Sequence, residues 1–159
     1  MLWAPGPGVA LTAIGAQGNL GVQVNDLIGI YAAPSLDIIF GDLGGVNLGT
    51  AVLVDFTFDD TIQIGVGPDI GAFAAIGGDS SGIAAAGGQL YGGRLHFAAF
   101  PLVGDGANGI RRKGLALGLD VRFLVGEVGF AALSSSGTAS ATATDFILSP
   151  MAFIGYEAF

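Results

Sequence analysis

An all-β fold is predicted by three features of this 159-residue sequence. The first is a period of two in side-chain character. It is clearest in residues 115–125, where Leu115, Leu117, Leu119, Val121, Phe123 and Val125 alternate with Ala116, Gly118, Asp120, Arg122 and Leu124. Such a period means an extended strand, because successive side chains point to opposite faces. The second is the glycine content of 29 residues, which argues against helices, where each glycine costs about 1 kcal/mol relative to alanine. The third is a chain that is 52% hydrophobic and only 11% charged, with a mean hydropathy of +0.70; soluble domains average about 25% charged residues. In 115–125 one face is uniformly apolar while the other combines small residues with two opposite charges. That suits a strand with lipid on one side and a lumen on the other. The expectation is one domain over residues 1–159, a closed antiparallel transmembrane β-barrel of eight strands.

Other classes are disfavoured by the same numbers. No stretch of about 18 apolar residues is free of charge and turn signals; the window 62–76 is interrupted by glycine, proline and aspartate. In lipid the remaining structure that satisfies every backbone polar group is a closed barrel. Glycine shows no three-residue period, so a collagen-like fibre is excluded. There is no cysteine to form disulfides, and a net charge of −8 disfavours nucleic acid. The opening MLWAPGPG has neither the basic region nor the apolar core of a signal peptide. An exported barrel needs a leader, so Met1 reads as a start codon placed before a mature sequence.

Taken in order, residues 4–8 (APGPG) form a stiff entry, 9–16 a short strand, and Gln17-Gly18-Asn19 a turn by composition. From Leu20 the alternation places Leu20, Val22 and Val24 on one face, and it continues through Ile28, Ile30 and Ala32 with Asp26 as a misfit. Ala33-Pro34-Ser35 breaks or kinks the segment; 36–40 either extends it or makes a ninth strand, and 41–49 is a loop. Residues 50–58 and 62–76 form a hairpin across Asp59-Asp60-Thr61, flanked by Phe58 and Ile62. Residues 77–82 read as a link, 86–101 as a strand and 102–110 as a loop. After 115–125, Gly126-Glu127 fits a two-residue turn that keeps Val125 and Val128 on one face. The polar stretch 133–144 reads as a loop, and 145–159 as the last strand. Pro68 and Pro150 fall inside strands, where each removes a ladder hydrogen bond, so bulges or breaks are expected there.

The polar faces collect Asp55, Asp69, Arg94, His96, Asp120, Arg122 and Glu157. A barrel of about eight strands is wide enough only for its own side chains, and buried charges must be paired. The expectation is an interior charge network that plugs the lumen; a conducting or catalytic lumen is the alternative. His96 is the one histidine, so a barrel hydrolase would have to use it with Asp120 or Asp69 and the serines at 134–136. No motif sets those distances, and the expectation is no enzyme, no cofactor and no metal site. Asp59-Asp60 reads as a charged turn in preference to a calcium site, and GDGANG (104–109) lacks the strand–loop–helix order of a phosphate-binding loop. Arg111-Arg112-Lys113 is the one basic cluster. It reads either as a contact to lipid phosphates, such as those of lipopolysaccharide, or as a solvated strand end.

The strand pattern over most of the chain, ending in AFIGYEAF with Phe159 last, resembles the small bacterial outer-membrane β-barrels of the eight-stranded outer-membrane-protein-A or -X type. The resemblance is one of architecture. It implies the outer membrane of a Gram-negative cell, contact with its lipid, a porin-like but monomeric barrel, and both termini on the periplasmic side. It also implies that the barrel-assembly machinery reads Phe159 as an assembly signal, although Glu157 stands where the family usually has an apolar residue. On that rule the links near 17–19, 59–61, 101–110 and 134–144 would face outward. Three roles compete: a structural or surface-interaction barrel, a narrow pore or transporter for small molecules, and a soluble lipocalin-like ligand-binding barrel.

Overall fold

The computed structural model describes residues 2–3, 10–41, 44–59, 61–80, 82–104, 113–134 and 137–158. The described residues form β1 (Leu2–Trp3), β2 (Ala10–Gln17), β3 (Leu20–Gln23), β4 (Ile28–Phe40), β5 (Gly44–Phe58), β6 (Ile62–Asp79), β7 (Gly82–Gly104), β8 (Lys113–Ser134) and β9 (Gly137–Ala158). These strands make one antiparallel, barrel-like sheet in the order β2-β1-β9-β8-β7-β6-β5-β4-β3, with β2 also paired to β4. Along most of β4 to β8 alternation puts one face of the strand inward. In β4, for example, Tyr31, Ala33, Ser35, Asp37 and Ile39 are buried while their neighbours are exposed.

Proline explains the first departure from the sequence reading. Gln17 pairs with Ser35 and Leu20 with Ala32, so β2 and β3 lie beside β4 in one unbroken register. The chain runs straight through Gly18 and Asn19 and makes no turn there. Gly18 N–H donates to the Pro34 carbonyl at 3.1 Å, but Pro34 has no N–H to return the bond. The ladder is interrupted and the direction kept. Being collinear, β2 and β3 share one position in the sheet, and 36–40 is the continuation of β4.

The actual turn follows β3. Asn25 Oδ1 accepts from the backbone N–H of Leu27 at 2.9 Å and of Ile28 at 2.8 Å, the local bonding that makes asparagine a turn residue. Asp26 therefore lies in a bend and does not interrupt an apolar face. The hairpin of β5 and β6 forms as read. Phe58 pairs with Ile62, Thr61 N–H donates to the Phe58 carbonyl at 3.1 Å, and Asp59 takes a left-handed φ of 49°.

Several stretches read as loops or turns are strand instead, residues 102–104 at the end of β7 among them. Gly126 pairs with Leu90 and Asp145, and Glu127 with Gln89 and Thr144, so β8 passes through both residues. Val125 consequently faces out while Val128 is buried. Gly126 serves close packing here, since a Cβ at that point would run into the Gln89 carbonyl. Residues 138–144 (TASATAT) pair with 127–133, and the β8–β9 hairpin closes at Ser134↔Gly137; β-branched threonine favours the extended backbone despite its polarity. Residues 77–79 and 82 are likewise strand, paired at Asp79↔Gly82, and β5 begins at Gly44 inside the stretch read as a loop. At Pro68 the β5–β6 ladder lapses between Ala51↔Asp69 and Val54↔Val66 without a change of register. Pro150 stays in the β8–β9 ladder. The register shift lies between Ala99 and Leu102, beside Pro101.

The meander sets which turns share an end. The β3–β4 turn, the β5–β6 turn and the β7–β8 connection lie at the end where β9 finishes. The β4–β5, β6–β7 and β8–β9 turns lie at the other. The hairpin near 134–137 is thus opposite to 59–61 and does not accompany it.

Replacing Asn25 by alanine removes both turn bonds. Equilibrium urea unfolding is expected to show a loss of about 1–2 kcal/mol, near the usual value of about 1 kcal/mol per intramolecular bond. An unchanged midpoint would mean that water replaces the side chain at no cost.

Candidate functional site

The register brings like charges together. Arg94 on β7 lies directly across from Arg122 on β8, and His96 across from Asp120. Cross-strand like charges repel, so this pair needs a carboxylate between its guanidinium groups, and β6 supplies Asp69. Arg94 Nε donates to Asp69 Oδ2 at 2.9 Å; Arg122 donates through Nε to the same oxygen at 2.7 Å and through Nη2 to Oδ1 at 3.1 Å. All three side chains are buried.

From this centre the bonds cross the interior. Arg122 Nη1 lies 3.4 Å from Asp37 Oδ2 on β4, and Asn47 Nδ2 on β5 donates to that oxygen at 2.7 Å. Arg94 Nη1 donates to Gln17 Oε1 on β2 at 2.8 Å, and Nη2 to Ser35 Oγ on β4 at 3.5 Å. Arg94 Nη1 also lies 3.9 Å from Asp120 Oδ2. The other oxygen of that carboxylate, Oδ1, is 2.6 Å from His96 Nδ1. A carboxylate only accepts, so Nδ1 carries the proton in that contact. The His96 ring stacks on Phe153, with centroids 5.2 Å apart and planes 13° from parallel. Asp55 is buried on β5 and accepts from Gln63 Nε2 at 2.7 Å. Room for the arginines comes from glycine: a Cβ at Gly49 would sit 2.6 Å from Arg122 Nη2.

Of the residues named from sequence, Asp69, Arg94, His96, Asp120 and Arg122 form one connected cluster, and Asp55 is buried in the same inward-facing layer. The Glu157 backbone pairs with Gly114, and Lys113 opens β8 opposite Ala158; the side chains of both lie outside the described residues, as do Arg111, Arg112 and Phe159. Sequence reasoning missed Asp37, Asn47, Gln17, Ser35 and Gln63. The signal for Asp37 was parity: counted from Tyr31 through Pro34 as one strand, it falls on the inward face with Ala33 and Ser35.

The cluster is a set of fixed partners, in which guanidinium donors and carboxylate acceptors hold one another in place. Ser134 pairs with Gly82 and Gly137 at the far end of β8, fourteen residues from Asp120 and about 46 Å along the strand at roughly 3.3 Å per residue. It therefore does not meet His96. Among the described residues no group of three or more His, Cys, Asp or Glu is placed to hold a metal ion. Comparison with protein-family models, with curated proteins and with solved structures gave no match.

Asp69→Asn would leave two buried guanidinium groups short of a counter-charge. Urea titration is expected to show a loss of about 3–5 kcal/mol, the cost of breaking a buried pair from one side. Asp59→Asn, at an exposed turn with positive φ, is expected to stay within about 0.5 kcal/mol of the parent. Equal effects from the two substitutions would contradict a central role for Asp69.

Proposed function

We propose that this chain is an integral β-barrel of a bacterial outer membrane, closed on itself, with an ion-paired interior and a structural or surface-interaction role. One observation carries the reading: the sheet is inside out relative to a soluble protein. Its largest fully buried side chains include Arg94, Arg122, His96, Gln63, Asp55, Asp69 and Asp120. Its exposed face carries Val52, Val54, Phe56, Phe58, Ile62, Ile64, Val66 and Ile70 on two neighbouring strands alone. An apolar surface of that extent calls for an apolar solvent, and lipid supplies it. A lipocalin-like barrel would need the opposite arrangement, with the greasy face inward.

Closure is supported by the pairings that link β9 through β1 to β2 and β2 to β4, and by arginines on β7 and β8 that bond to β2 and β4 across the interior. The lumen is occupied by these groups, which favours a plug over an open pore. With the carboxyl end periplasmic, as in the barrels it resembles, the turns after β4, β6 and β8 face the exterior. There residues 129–133 and 137–144 are exposed on both faces of the sheet, as a display surface requires. In this reading Arg111, Arg112 and Lys113 meet lipid phosphate on the periplasmic side, and Phe159 is the assembly signal. The protein works as a monomer among outer-membrane lipids.

Refolded into detergent, the protein is expected to migrate differently on a denaturing gel before and after boiling; a single unshifted band would sink the membrane-barrel reading. In planar bilayers the parent chain is expected to be closed and Arg122→Ala to conduct. Equal conductance in the two would remove the plug.

A further inference from the structure

Three levels of carboxylate are stacked along the inward face. Asn47, Ala51 and Asp55 mark them on β5, four residues or about 13 Å apart along the strand. Asp37 lies across from Asn47, Asp69 across from Ala51, and the row of Asp55 continues through Gly65 and His96 to Asp120. Arg94 and Arg122 face each other two residues from His96 and Asp120, between the second level and the third. The contacts thus run along the lumen, from Asp37 through Arg122, Asp69 and Arg94 to Asp120 and His96.

The charges on this path do not balance. Asp37, Asp55, Asp69 and Asp120 are all 5% exposed or less, and so are Arg94, Arg122 and His96. Four carboxylates therefore share two guanidinium groups and one imidazole, and the acids are in excess even with His96 counted as a cation. The other basic residues of the chain are Arg111, Arg112 and Lys113. Lys113 opens β8 seven residues before Asp120, about 23 Å away along the strand. The remaining acids can only add negative charge.

Acceptors are in excess as well. Asn47 Oδ1 and Gln63 Oε1 are buried side-chain oxygens that take no hydrogen bond. Each belongs to an amide whose nitrogen already donates to a carboxylate, Asn47 to Asp37 and Gln63 to Asp55. Asn47 Oδ1 and Arg122 Nη2 both stand 3.4 Å from the point that a Cβ on Gly71 would occupy. A spare acceptor thus borders the space that the guanidinium group fills.

We propose that the lumen is a cation path, in which Arg122 and Arg94 are tethered occupants of sites that also accept small free cations. Carboxylates lining a pore select cations, and fixed charge acts more strongly beside a low-dielectric wall than in water. Asp69 takes the Arg122 guanidinium through two parallel bonds, and Asp37 takes its remaining nitrogen. That grip is shaped for a planar cation. When the group is withdrawn, monovalent cations enter and chloride is excluded. This rests on the plug reading: the plug decides whether the lumen is open, and the surplus of carboxylate decides what then passes.

Planar-bilayer recordings of Arg122→Ala under a KCl gradient measure the preference. The reversal potential is expected to follow potassium, with a permeability at least about fivefold that of chloride. Adding Asp37→Asn should lower that ratio, whereas Asp59→Asn, at an exposed turn, should leave it. Guanidinium chloride at about 10 mM is expected to reduce the current by more than half, as a free replacement for the missing group. Urea, its neutral analogue, is expected to leave the current unchanged. A zero or chloride-directed reversal potential overturns the proposal, as does a ratio that Asp37→Asn fails to move, or equal action of guanidinium and urea. Heat-modifiable migration identifies the folded variants; if Arg122→Ala fails it, Arg94→Ala takes its place with the same expectations. A folded variant that stays silent removes the plug together with the cation path, whereas one that conducts without preferring potassium removes the cation path alone.

Discussion

Asp69 is the group on which the interior depends. Two arginines face each other on adjacent strands, and neither can move away, because alternation along β7 and β8 commits both to the inward face. A single carboxylate on a third strand bonds to both. Burying these charges is costly, and their mutual attraction offsets the cost only while every partner is present. The network ties β6, β7 and β8 to β4 and β2, strands that are not neighbours in the sheet. Their curvature and their charges are one arrangement.

The apolar side of the same strands makes the complementary demand. Most leucine, valine, isoleucine and phenylalanine side chains project outward, while glycine leaves space inside for a guanidinium group, as at Gly49 beside Arg122. In water this distribution would leave a large apolar surface uncovered. Lipid would meet both demands together, the side chains by acyl chains and the backbone by the ladder.

Much of this was legible in the sequence because a period of two survives even where composition is unusual. The inward set around Arg94, His96, Asp120 and Arg122 followed from parity alone, and so did the Phe58–Ile62 hairpin. What was not legible shares one cause: in a sequence, glycine, proline and small polar residues look like punctuation. Pro34 removes a single hydrogen bond and leaves the strand running, so Asp37 and its partner Asn47 stayed hidden behind an apparent break. Gly126 is there for close packing, and TASATAT is strand because a neighbouring ladder can hold it. Turn chemistry in such residues is a permission, and the pairing partner decides whether it is used.

The meander has a kinetic side. Most of the sheet joins strands consecutive in the chain, so it can grow hairpin by hairpin with short loops to close. The Arg94–Gln17 and Arg122–Asp37 bonds span 77 and 85 residues and form only when the sheet curls. Until then the arginines are hydrated and the ladder is open. These two bonds thus act as a latch on the last step: they contribute nothing to the order in which strands add, and they hold the curled state once it is reached.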